Sequence, residues 1–243
     1  MNTHTLALVA TVFLAAGLVK GLCGLGLPTL SMALLGLAIP PASAAALMVL
    51  PALITNVAQC LGPHWRALLR RLWPMWLGTV LATVFCPLPA LGSDSNTGRH
   101  VMAAVLAAYG LWGLSKPKLP NLGRYPLLAG SIAGLLSGLL TAATGVFVMP
   151  MVPYLQALRL GKAELMQAMG ISFTLATLAL ALRLSGAATV ASVDLRASAI
   201  ALFTALVGMG LGNRLLGRLQ PAVFQRILYG VFLVLGGLMA VSG

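Results

Sequence analysis

The chain has 243 residues, 60% of them hydrophobic and only 7% charged. Soluble domains carry roughly a quarter charged residues, so this composition excludes a water-clad surface of this size. The net charge of +12 comes from 15 Lys and Arg against 3 Asp and Glu; these basic residues fall between apolar runs without interleaved aromatics, which fits cationic loops flanking membrane helices and excludes a nucleic-acid surface.

Taken in chain order, the first apolar run spans Leu6 to Val19. Met1 to Val19 holds no Lys or Arg and leads into a Gly-rich segment instead of a small-residue cleavage site, so a retained helix is expected and not a secretory leader. Lys20-Gly21-Leu-Cys-Gly24-Leu-Gly26-Leu-Pro28 then interrupts it, and a second arm runs to Ile39 before Pro40-Pro41. Each arm is expected to be about 14 residues, roughly 20 Å as helix and short of a full crossing. Three further helices are expected near 42–60, 72–90 and 99–115. Lys116 to Arg124 reads as a polar Pro/Gly linker.

The block from Tyr125 to Leu158 is free of charge over 34 residues (158 − 124). As one helix it would be about 51 Å long, against a hydrocarbon core of about 30 Å. It must therefore turn, and Gly138-Leu-Leu-Thr141-Ala-Ala-Thr144-Gly145 offers the expected turn, with arms near 126–140 and 145–158. Helices near 163–183, 197–213 and 221–242 complete the second half. Ala16-Gly17-Leu-Val-Lys20-Gly21 resembles Ala133-Gly134-Leu-Leu-Ser137-Gly138 at an offset of 117 residues (133 − 16). Paired, interrupted apolar segments in two halves are a transporter signature. The domain reading is a first membrane repeat over 1–115, a cytoplasmic linker over 116–125 and a second membrane repeat over 126–243.

Charge then orients the chain. With the N-terminus outside and each half crossing an odd number of times, Arg66, Arg70, Arg71, Lys116, Lys118, Arg124, Arg159, Lys162, Arg214 and Arg218 fall inside, against Arg99, Arg183 and Arg196 outside. The positive-inside rule thus favours halves of opposite orientation. The expected fold is an all-α integral membrane protein of two inverted repeats, each a broken or re-entrant helix hairpin plus three transmembrane helices, about eight to ten helical segments in all. Arg183 and Arg226 read as anchors near helix ends.

Gly17-Leu-Val-Lys20-Gly21-Leu-Cys-Gly24-Leu-Gly26 and Thr144-Gly-Val-Phe-Val-Met-Pro150-Met-Val-Pro153-Tyr-Leu-Gln156 together resemble the two Gly-rich signatures of the TauE/SafE family of sulfite exporters and related anion permeases. The likeness runs through both halves in order. Ala142-Ala-Thr-Gly145 stands where many members carry three glycines, and Pro28 comes early after the first Gly-rich turn. The resemblance implies a multi-pass transporter of the inner (plasma) membrane, most simply an exporter of sulfite, an organosulfonate or a related anion. A permease for another small metabolite or cation of the same architecture is the alternative, and homo-oligomerisation is left open.

Lys20 is the most informative residue: an ammonium in an apolar stretch is a functional hypothesis by default, with snorkelling to the interface as the rival reading. Two hairpins entering from opposite faces would bring their tips together near the midplane, where unpaired amides and half-helix N-termini favour an anion. The substrate-binding set expected on these grounds is Lys20, Gly21, Gly24, Gly26, Asn56, Gln59, Ser137, Gly138, Thr141, Thr144, Gly145, Gln167 and Ser172. The bland reading of Gly17, Gly21, Gly134 and Gly138 is close helix packing. Cys23, Cys60 and Cys86 and His4, His64 and His100 show no metal-ligand spacing. With no Walker motif and no catalytic pair at depth, neither a cofactor nor an enzyme is expected, and the partners are the small anion and the lipid bilayer, with no nucleic acid.

Overall fold

The computed structural model describes residues 2–87, 96–115, 125–185, 194–215 and 221–241. Residues 116–124 of the expected linker lie outside this set, as do Asp94 and Arg218. The described residues form ten α-helices: α1 Thr3–Cys23, α2 Leu27–Leu35, α3 Pro41–Cys60, α4 Trp65–Val84, α5 Asn96–Ser115, α6 Pro126–Thr144, α7 Met151–Ala157, α8 Lys162–Ser185, α9 Leu195–Leu215 and α10 Pro221–Val241. Six of them (α1, α3, α6, α8, α9 and α10) are long and apolar enough to cross a membrane. This is an all-α, multi-pass membrane protein.

Its surface is apolar where a soluble protein's is polar, and several polar side chains lie within its hydrophobic core. Ile132, Leu135, Leu136, Leu178, Leu182 and Phe203 are exposed, while Lys20, Asn56, Thr79, Ser137 and Gln167 are buried. Lipid tails can cover the former, and only the protein can satisfy the latter.

Both hairpins depart from expectation in one way. α1 has 21 residues and α6 has 19, or about 31 and 28 Å, close to the full hydrocarbon thickness. Their return arms α2 and α7 have only nine and seven residues. The long arm therefore carries each turn past the middle of its own helix axis, and the equal half-length arms meeting at a midplane are not what the chain forms. In the second half the helix also runs straight through Gly138 and ends at Thr144. A lipid-embedded helix has no water to take its freed backbone groups, so weak helix formers stay helical where a neighbour packs on them.

The glycines explain that packing. A Cβ on Gly17 would lie 2.2 Å from the Ala205 carbonyl oxygen, and one on Gly134 would lie 2.1 Å from that of Met75. Gly21 sits on Met209 of α9, and Gly138 on Thr79 of α4. In return Gly208 sits on Leu14 and Leu18, and Gly78 on Ser131 and Leu135. Every one of these contacts maps onto its counterpart by a shift of 117 residues from α1 to α6 (134 − 17) and of 130 from α4 to α9 (205 − 75). Each half thus lends its fourth helix to the other half's first.

Helix directions follow from the same contacts. α1 runs parallel to α9, and α6 parallel to α4, because residue numbers rise together along each interface. The counterparts α5 and α10 are antiparallel: Gly110 lies on Tyr229 and Leu233, while Gly236 lies on Ala103 and Ala107. α3 and α8 are antiparallel as well, with Gln59 against Gly170 and Gly62 against Gln167.

Candidate functional site

The first hairpin turns on two glycines. Gly24 caps α1 at φ 73°, donating its N–H to the Lys20 carbonyl oxygen at 2.7 Å, and Gly26 precedes α2 at φ 105°. Only glycine adopts such angles without strain. The cap fixes Lys20 in the last turn of α1, where the helix dipole favours a cation.

Lys20 is 1% exposed. Its ammonium is therefore not among lipid headgroups, and the snorkelling reading is overturned. Nζ donates to Oδ1 of Asn56 on α3, and among the described residues no carboxylate lies within ion-pair distance of it. The pairing found elsewhere is Arg71 with Glu164, at 3.9 Å near the start of α8. A buried cation without a counter-charge is costly, and here one neutral amide oxygen is its only hydrogen-bond acceptor among the described residues.

One turn further along both helices comes a second link. Gln59 follows Asn56 by three residues, so the two side chains share a face of α3, and its Nε2 donates to the carbonyl oxygen of Gly24 at 2.9 Å. Lys20 to Asn56 and Gly24 to Gln59 are thus two rungs between the ends of α1 and α3, about 5.4 Å apart along the axis. Each rung is half-used. Nδ2 of Asn56 and Oε1 of Gln59 are buried without a partner. The two rungs therefore leave one amide donor, on Asn56, and one amide acceptor, on Gln59, unmet beside the ammonium. Met166 of α8 packs against Gly24 at the second rung, since a Cβ on Gly24 would lie 2.3 Å from its methyl.

The remaining expected residues divide. Gly21 packs on α9 and Gly138 on α4, in the helix-packing role. Gln167 spends its whole amide on the α3–α4 connection: Nε2 donates to the carbonyls of Cys60 and Gly62, and Oε1 accepts from the backbone N–H of His64. Ser172 accepts from Nε1 of Trp76 at 2.9 Å and donates to the Ala168 carbonyl. Thr141 and Thr144 donate back to their own helix, and the Thr144 hydroxyl also accepts from the N–H of Val146 beyond the Gly145 cap. Gly145 takes φ 70° and abuts Met32 of α2, so the second turn touches the first hairpin. Ser137 stands where the 117-residue shift carries Lys20, and its hydroxyl oxygen is buried without a partner.

Thr29, in the first turn of α2, was not among the expected residues. Its hydroxyl is fully buried and unpartnered. A threonine three residues after a turn glycine is the signal that marks it. Nη1 of Arg183 donates to the carbonyls of Thr83 and Cys86, at 3.2 and 2.9 Å. From the last turn of α8 it ties down the C-terminal end of α4.

A family model described as sulfite exporter TauE/SafE matches residues 9–239. No curated protein and no solved structure matches the chain.

Proposed function

The chain belongs to the sulfite exporter TauE/SafE family, a family of membrane transporters, and from that premise we propose that it exports sulfite, an organosulfonate or a related sulfur-containing anion held at Lys20 and Asn56. The observation that carries this reading is a fully buried lysine with no carboxylate beside it and an unpartnered amide N–H₂ next to it. An oxyanion supplies both missing things, negative charge for Nζ and an acceptor for Nδ2, in charge-assisted hydrogen bonds. No other ligand class balances that pair as simply, since a cation meets an ammonium and a neutral solute leaves the charge uncompensated.

The same premise extends to architecture. Two membrane repeats, 1–115 and 126–243, of opposite orientation account for the antiparallel pairs α3–α8 and α5–α10 and for the exchanged pairs α1–α9 and α6–α4. In such a frame the buried site between α1 and α3 opens alternately to each side as one set of helices rocks on the other. An inside-negative potential drives a monoanion outward by about 2.3 kcal/mol per 100 mV, so export needs no carboxylate-based ion site.

A thermal-shift screen of the purified protein tests the site. Sulfite and small sulfonates raise the melting temperature of the wild type and do nothing for Lys20→Met. Stabilisation by amines instead, or equal stabilisation of both proteins by the anions, would remove Lys20 from the substrate site.

A further inference from the structure

The two rungs differ in chemistry, and the difference bears on which anion fits. Gln59 is oriented by Gly24. Its Nε2 is committed to the Gly24 carbonyl, and that glycine is itself pinned by its N–H bond to Lys20. The amide cannot flip without surrendering this hydrogen bond. Oε1 is thereby presented as an acceptor with nothing to accept. An amide oxygen never donates. A substrate whose every polar atom is an acceptor would satisfy Lys20 and Asn56 but would press an oxygen lone pair against Oε1.

From this we infer that Gln59 selects singly charged oxyanions that carry an O–H or N–H donor of their own. Within the site proposed above, on which this inference rests, the anionic oxygens bind Nζ of Lys20 and Nδ2 of Asn56, and the substrate's own donor reaches Oε1 of Gln59. Hydrogen sulfite and hydroxy- or amino-substituted sulfonates belong to this class; sulfite dianion, sulfate and alkyl sulfonates do not. The charge count agrees. One lysine serves the site, and the corresponding position in the other half is the neutral Ser137. Leaving a buried acceptor unmet shifts an equilibrium by roughly five- to hundredfold, and a site built to hydrogen-bond a substrate hydroxyl rejects the analogue lacking it.

Two sulfonates of nearly equal shape test the idea: 2-hydroxyethanesulfonate, and propane-1-sulfonate, in which a methyl replaces the hydroxyl. Apparent affinities come from ligand-dependent melting of the purified protein, with sulfite as a third probe. The wild type is expected to prefer the hydroxylated anion by about tenfold, and Gln59→Met to bring the ratio close to one. Equal affinities in the wild type, or a preference that persists in Gln59→Met, overturn the role of Gln59 while leaving the Lys20 site standing. Should Gln59→Met fail to fold, the wild-type ratio still decides. A wild type that binds none of the three anions overturns both the selectivity and the site.

Discussion

Replacing Asn56 by Leu removes the only acceptor that the buried lysine has among the described residues, while keeping the branched shape and heavy-atom count of the side chain. The Lys20–Asn56 hydrogen bond is the only one the ammonium makes among the described residues, and bonds of this charge-assisted kind are worth ~1.5–3 kcal/mol. Breaking it also leaves a buried charge with no compensation, which raises the cost to ~3 kcal/mol or more. For a chain of this size that is a fall of about 6–12 °C in melting temperature. Lys20→Met alone leaves the whole Asn56 amide unsatisfied and costs ~1–3 kcal/mol. The double variant Lys20→Met/Asn56→Leu has neither a stranded charge nor a stranded amide, and it is expected within about 1 kcal/mol of wild type, or above it. Thermal unfolding of the four detergent-purified proteins, followed by tryptophan fluorescence, gives the coupling directly. If Asn56→Leu melts with the wild type, or if the double variant is less stable than either single one, the pair does not work as described.

Helix packing makes a second prediction: Gly17→Ala and Gly134→Ala force a carbon against backbone oxygen at 2.2 and 2.1 Å and should each cost ~1–3 kcal/mol, whereas Gly210→Ala and Gly237→Ala, with open space around them, should leave the melting temperature unchanged or raised. Arg183→Met strips two buried carbonyls at the end of α4 of their donor. It should lower stability by ~1–3 kcal/mol without altering the relative affinities of different anions in the thermal-shift titration. Trp76→Phe loses the bond to Ser172 and should cost about 1 kcal/mol, again read as a melting shift with anion affinity preserved.

Much of this molecule could be read from residue order because membrane physics writes in coarse terms. Long charge-free blocks marked most of the helices, although α4 spans Trp65–Val84 and starts among Arg66, Arg70 and Arg71 where a helix near 72–90 was expected, and Gly-Pro punctuation marked ends at Gly24, Gly26 and Pro40. The first-half glycine turn was legible because its two positive-φ positions, Gly24 and Gly26, demand glycine. The second was misplaced toward Gly138, since glycine in a lipid-embedded helix is as apt to admit a neighbour as to end the helix; only the contact with Thr79 distinguishes the two. Lys20 stood out by cost alone, and Asn56 and Gln59 by polarity within an apolar helix. What pattern could not supply was who their partners are. Gln167 and Ser172 have the same composition signal as Asn56 and Gln59, yet they are spent on a loop and on Trp76 because of chain segments about a hundred residues away. Arg183 likewise gave no sign in the sequence that it meets the end of α4, about a hundred residues away.

The most direct measurement is potential-driven sulfite efflux from proteoliposomes, comparing wild type with Lys20→Met/Asn56→Leu at matched protein content. The account predicts flux that grows with an inside-negative potential in the wild type and falls to the level of protein-free vesicles in the double variant, whose fold is intact. Wild-type rates from the double variant would contradict it.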